Sequence, residues 1–196
     1  QIRNGYFFPF ALIKDPTTKK ADVFKELSDG WKADVEDMVA REAATAIIGD
    51  LSQFVEPYLG LAIGNKPSDI SDELWKPVLR LHRMPAPTSV YPYVIRVIHG
   101  VKENEIPETD AISCLELVES FLVRRAFLGL EPTGLHAVFK NLWRKAKAVP
   151  VDVVSEVQTN TIEFPEDARF HDMIKSGDLY SRKLCSFVLA EYERSF

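Results

Sequence analysis

Apolar residues recur along this chain at spacings of three and four, and no segment sustains the alternation of a half-buried strand. The pattern predicts an all-α protein, an irregular multi-helix bundle of about eight or nine helices. The first strong helix runs from Lys20 to Asp29, where Gly30 offers a left-handed C-cap. A long helix is expected from Trp31 to about Ile48, acidic early (Asp34, Glu36, Asp37) and apolar later. Gly49-Asp50 interrupts it, and Leu51 to Ala62 resumes it with a kink or break at Pro57. Ser71 is a good N-cap for Asp72 to His82. Beyond the rigid Met84-Pro85-Ala86-Pro87 connection, Tyr91 to Val101 begins with Pro92 in its tolerant first turn.

The stretch from Asp110 to about Leu128 is the most apolar of the set and is expected to be central. Ile112, Leu115, Val118, Leu122 and Ala126 line one face, and Leu117, Phe121 and Leu128 broaden it. Thr133 should cap the next helix, with Leu135, Val138, Phe139 and Leu142 facing inward. Pro150 starts a short helix, Gln158 to Phe164 reads as a loop, and Pro165 opens a helix that Gly177 ends. Asp178 to Phe196 completes the set, with Leu184, Phe187, Val188 and Tyr192 at core spacing. Aromatic residues such as Phe7, Phe8, Phe10, Tyr91 and Tyr93 read as core. The acidic loop Gly100 to Thr109 separates an N-terminal helical part, 1–109, from a second part, 110–196, the two forming one unit.

Composition narrows the class. With 46% apolar and 27% charged residues among 196, wholesale disorder is not expected. The longest apolar runs, such as Tyr6 to Ile13, are too short to span a bilayer, and the N-terminus carries no signal-peptide pattern. Cys114 and Cys185 are isolated and read as small buried apolar side chains, which fits a reducing, cytoplasmic setting. A net charge of −5 argues against a protein that coats nucleic acid, while leaving room for a local basic face. The chain starts at Gln1 rather than methionine and reads as a piece of a longer protein.

Two clusters carry candidate chemistry. Arg124 and Arg125 stand adjacent in the apolar helix, so at least one guanidinium is expected to be partly buried. Such a group needs carboxylate or phosphate partners. Glu116 and Glu119 are out of helical register with both arginines, so the partners come from another helix, as a structural ion pair, or from a ligand. The second cluster is a basic stripe, Lys140, Arg144 and Lys147 at i, i+4 and i+7 with Lys145 beside it, in a segment where only Glu131 opposes six basic residues. It could contact DNA phosphates, or it could be a solvated face at a helix C-terminus. The His171-Asp172 pair, stretched to include His136 and Asp178, would suggest a metal-dependent HD-type phosphohydrolase. No metal-ligand spacing, phosphate loop or nucleophile elbow accompanies it, so no catalytic residue, metal or cofactor is assigned.

The run Glu119-Ser120-Phe121-Leu122-Val123-Arg124-Arg125-Ala126, continuing through Gly129, Leu135, Phe139 and Leu142, resembles the helical region of GmrSD-like, modification-dependent restriction enzymes. That family carries E-S-Y-L-V-R-R-A followed by G-L-x-T-x-x-L-N. Phe121 stands here for the tyrosine and His136 for the asparagine. Phe164-Pro165-Glu166-Asp167 with Phe170 is similar to the family's W-P-x-D-x-x-F, and Leu179-Tyr180 with Arg182, then Leu189 to Glu193, to its L-Y-x-x-R…Y-I-L-x-x-L-E ending. The resemblance implies a non-catalytic connector between a ParB/sulfiredoxin-like nucleotide-hydrolysing domain and an HNH nuclease in a phage-defence protein, whose partners are those domains and DNA. The catalytic motifs of both domains are absent from this sequence. The alternative is a helical protein–protein interaction module without nucleic-acid binding.

Overall fold

The computed structural model describes residues 2–194 apart from 86, 131 and 183. Among them lie eleven α-helices, a 3₁₀ turn at Thr88–Val90, and no strand. In chain order the helices are α1 (Ile2–Lys14), α2 (Val23–Asp34), α3 (Ala40–Ser52), α4 (Val55–Ile63), α5 (Asp72–Arg83) and α6 (Tyr91–Lys102). Then follow α7 (Glu108–Phe127), α8 (Leu135–Ala146), α9 (Pro150–Val157), α10 (Asp167–Ser176) and α11 (Cys185–Arg194). The all-α expectation holds, with more helices than the pattern suggested.

Two apolar cores organise them. The larger draws on α4 to α9, Ile162, Leu184 and Phe187, and the smaller joins α1, α2, Phe54 and Tyr58. Helix α6 belongs to both, because Ile95 sits in the smaller core while Tyr93, Val94, Val97 and Ile98 sit in the larger. All five of these side chains are fully buried. A helix apolar on almost every side must be wrapped on almost every side, and α1, α4, α7 and α8 do so. The expected central helix, α7, buries one face through Ala111, Cys114, Leu115, Val118, Phe121 and Leu122, while Glu116 stays exposed.

Several boundaries differ from the pattern for identifiable reasons. Helix α1 was hidden because Tyr6 to Ile13 is an apolar run without period that contains Pro9. Helix α2 continues through Gly30 because Trp31 packs near Phe10, at 6.4 Å between rings, and donates from Nε1 to Asp50 at 2.9 Å. Asp50 also pairs with Lys14, so Gly49-Asp50 is a helical anchor within α3 rather than an interruption. The break falls instead at 35–39. Pro57 occupies the first turn of α4, where its missing N–H costs no helical bond.

The second cap differs too. Ser71 caps α5, its Oγ accepting from the Leu74 N–H at 2.9 Å. Thr133 does not cap α8. That position belongs to Gly134 at φ 88°, where Ile162 stands so close that a β-carbon would meet it at 3.0 Å. The final helix is shorter than expected, starting at Cys185, and Tyr192 is 63% exposed rather than core. Ala86, in the expected rigid connection, and Phe196, the expected end of the last helix, lie outside the described residues.

Two buried polar groups generate predictions. The Tyr93 hydroxyl, inside the larger core, donates to the Lys147 carbonyl at 2.9 Å and so ties α6 to the end of α8. Tyr93→Phe should therefore lower stability by about 1–3 kcal/mol, since it orphans that carbonyl. An unchanged denaturant midpoint would rule this out. His99 is 8% exposed and meets Phe54 edge-on at 4.5 Å. Burial first, then Arg96, pushes its pKa below the ordinary 6.5, against the pull of Glu103 and Glu105. A depressed pKa means that its contribution is fully present above about pH 6.5 and is lost as pH falls through the folded-state value. Thermal melts between about pH 7 and pH 5 should lose less stability in His99→Gln than in the parent chain. Equal losses would assign the acid sensitivity elsewhere.

Candidate functional site

The arginine pair sits in the last turns of α7, where cations also meet the negative end of the helix dipole. The two side chains diverge, as successive helical positions must. Arg124 is partly exposed. Its Nε donates to Ser120 Oγ at 3.0 Å, one terminal nitrogen donates to the Pro165 carbonyl at 2.9 Å, and the other pairs with Asp167 at 2.6 Å. Its guanidinium also lies 5.7 Å from the Phe164 ring centre and 5.4 Å from that of Phe170. Asp167 is the first residue of α10, so its carboxylate satisfies a helix N-terminus as well as a cation.

Arg125 points inward and is only 6% exposed. It donates to the Glu163 carbonyl at 2.8 Å and lies over the Phe121 ring at 5.4 Å. Burial lowers its pKa, with the Glu163 carboxylate acting in the opposite sense. Together the two arginines hold segment 163–170 against α7 by carbonyls, a carboxylate and aromatic faces. The carboxylate and carbonyl partners come from a separate segment, while Ser120 of α7 itself takes the Arg124 Nε.

The other polar residues of the ESFLVRRA run are engaged as well. Glu119 accepts from Arg80 Nε at 2.7 Å, and Glu116 accepts from the same guanidinium at 3.2 Å, joining α5 to α7. Burial pushes the Glu119 carboxyl up and Arg80 pulls it down, with the net direction upward. Sequence reasoning missed Arg80 because it sits 39 residues from Glu119 on another helix. It also missed the aromatic clamp, although Phe164 and Phe170 were both in the matched motif.

The basic stripe is divided among three jobs. Arg144 donates to the Lys14 carbonyl at 2.9 Å and caps the C-terminus of α1. Asp15 follows that helix, and the Thr17 N–H and hydroxyl hold its carboxyl below the usual range, with Arg144 and Lys140 adding to the effect. Lys145 pairs with Glu156 at 2.7 Å, joining α8 to α9. Lys147 lies past the helix end at φ 46°, its side chain exposed. Glu131, the expected opposing charge, lies outside the described residues.

The histidines do not converge. His136 stacks on Phe8 at 5.8 Å, and His171 and Asp172 are exposed on α10. Among the described residues no three His, Cys, Asp or Glu side chains stand close enough to hold a metal ion. Cys114 and Cys185 are buried free thiols, and burial raises the Cys114 pKa to about 11. No helix is long and apolar enough among the described residues to cross a membrane.

No protein-family model, curated protein or solved structure matches the chain. The geometry stands alone.

A stability ordering follows from the arginine contacts. Arg125→Ala removes a buried charged donor and should cost about 1.5–3 kcal/mol. Arg124→Ala should cost nearer 1 kcal/mol, because its carboxylate partner is mostly exposed. Urea denaturation of both variants checks this, and a larger loss for Arg124→Ala would contradict the assigned geometry.

Proposed function

We propose that this chain is a non-catalytic helical connector of a modification-dependent DNA restriction enzyme of the GmrSD-like kind, working in the cytoplasm. The observation that carries the reading is the convergence of the three motif segments. Glu119, Ser120, Arg124 and Arg125 each make a polar contact within the chain, and the arginine contacts run to residues 163–167 of the second motif. Arg182 of the third motif lies against Gly129 of the first. Residues that serve to lock helices together belong in a part that transmits position rather than in one that makes or breaks bonds.

In this reading the nucleotide-hydrolysing and nuclease domains are the partners; the expected boundary at 109/110 falls inside α7, within the larger core, so the two parts act as one unit. DNA phosphate contact by Lys140, Arg144, Lys145 and Lys147 is a subordinate part of the proposal, supported by the exposure of the last three. A protein-interaction module is the second reading, favoured by the exposed Phe24, Val39 and Ile48.

The test uses the whole protein, assayed for nucleotide hydrolysis and for cleavage of modified duplex DNA. The connector reading expects Arg124→Ala/Arg125→Ala to retain hydrolysis and lose cleavage at least about tenfold, a coupling loss near 1.4 kcal/mol. If the whole protein has neither activity, the interaction module takes its place. A Lys140→Ala/Arg144→Ala/Lys147→Ala variant whose DNA affinity keeps the parent's salt dependence would remove the phosphate-contact component.

A further inference from the structure

A cavity of about 460 Å³ opens where Met84, Pro85 and Pro87 meet the end of α7 and Ser181, Arg182 and Leu184. Its walls are mainly apolar, with Met84, Pro87, Leu122, Leu135 and Leu184 among them. Two guanidiniums, Arg125 and Arg182, also line it, and no described acidic residue does. A few polar groups in an otherwise apolar concavity of this size are the usual make-up of a small-molecule site.

Arg182 is the informative member. Its Nε is buried without a hydrogen-bond partner in the chain. A buried charged donor in that condition costs more than a neutral one, and an oxyanion on the terminal nitrogens would offset that cost by neutralising the guanidinium. The backbone is shaped to admit the side chain. Gly129 has φ 67°, and a β-carbon there would stand 3.0 Å from a terminal nitrogen of Arg182. The α7 C-terminus therefore lets the guanidinium lie close against it, at the cavity wall. Arg125, anchored through the Glu163 carbonyl, supplies a second fixed cation whose position does not depend on the ligand.

We propose that this cavity is a binding site for a small amphiphilic oxyanion, a phosphate or carboxylate head group carried on an apolar body. The head group bonds Arg182 in the bidentate manner that suits guanidinium, with Arg125 contributing charge, and the apolar body fills the Met84–Leu135 side. The connector reading uses the same two arginines for their contacts within the chain, to the Glu163 carbonyl and against Gly129, whereas this assignment concerns the side of each that lines the cavity.

The test is titration of the chain with phenyl phosphate, benzoate, inorganic phosphate and the neutral analogue benzyl alcohol, read by amide chemical shifts. The expected result is a shift pattern confined to the cavity-lining residues, with phenyl phosphate or benzoate at least about tenfold tighter than benzyl alcohol or inorganic phosphate. The ratio between the first two distinguishes a phosphate from a carboxylate head group. Arg182→Met should lose that preference. Ser181→Glu, at an exposed rim position, should weaken binding of both oxyanions by a similar factor while leaving the fold intact. Equal affinity for benzyl alcohol, retention of the preference in folded Arg182→Met or Ser181→Glu, or no shift at millimolar ligand would each overturn the proposal. In those cases Arg182 is a packing residue against the α7 terminus.

Discussion

Everything in this fold depends on the need to enclose α6. Its sequence, YPYVIRVIHGVK, leaves almost no face that can tolerate water, so four other helices must surround it. That enclosure brings two cores into one body, since Ile95 reaches one and its neighbours the other. The two polar groups that α6 takes inside are both provided for: the Tyr93 hydroxyl reaches a carbonyl, and the His99 ring lies against an aromatic edge. Of its two obligatory charges, Lys102 pairs with Glu56 at the helix end, and Arg96 leaves the core by lying over the Trp143 and Phe54 rings and pairing with Glu105 at 3.1 Å. Desolvation and cation–π attraction are thereby balanced at a single side chain.

Around this centre the arginines of α5 and α7 act as ties between elements distant in sequence. Arg80 fixes α5 to α7, and Arg124 and Arg125 fix α7 to the segment ahead of α10. Helix α10 buries none of its own side chains completely, so these ties and the Phe127–Phe170 contact carry much of its attachment. The contacts with backbone carbonyls are informative. They specify a path for residues 163–165 without demanding particular side chains there, and only Asp167, Phe164 and Phe170 are constrained by identity.

Much of this was legible in the sequence, and the failures share a cause. The all-α class, the Ser71 cap, the Pro92 start and the partnering of the arginine pair from another element followed from local rules. Gly30, Gly49 and Thr133 misled because each was read by its intrinsic preference. At Gly30 and Gly49 tertiary contacts through Trp31 and Asp50 override that preference, and at Thr133 the adjacent Gly134 meets the geometry that Ile162 imposes. The basic stripe was legible as a periodicity but not as a distribution of contacts. Its members face the α1 terminus, Glu156 and solvent, and no local pattern encodes the positions of those partners. The Arg182 cavity left no signal in the sequence beyond the motif residue itself, because it is assembled from three separate segments.

The bond from Arg144 to the Lys14 carbonyl spans 130 residues, and it has a consequence for biosynthesis. Helix α1 leaves the ribosome well before α6, which supplies Ile95 to its core, and before α8, which caps its end. At a synthesis rate of about 5–20 residues per second, its C-terminal carbonyl waits roughly 7–26 seconds for that cap. During this interval Phe8 lacks its stacking partner His136, whereas Phe7 and Phe10 meet Phe24, Trp31 and Phe54 much sooner. The α1–α2 side of the smaller core can therefore close early, while the end of α1 and the Phe8 ring are completed only once α8 has emerged.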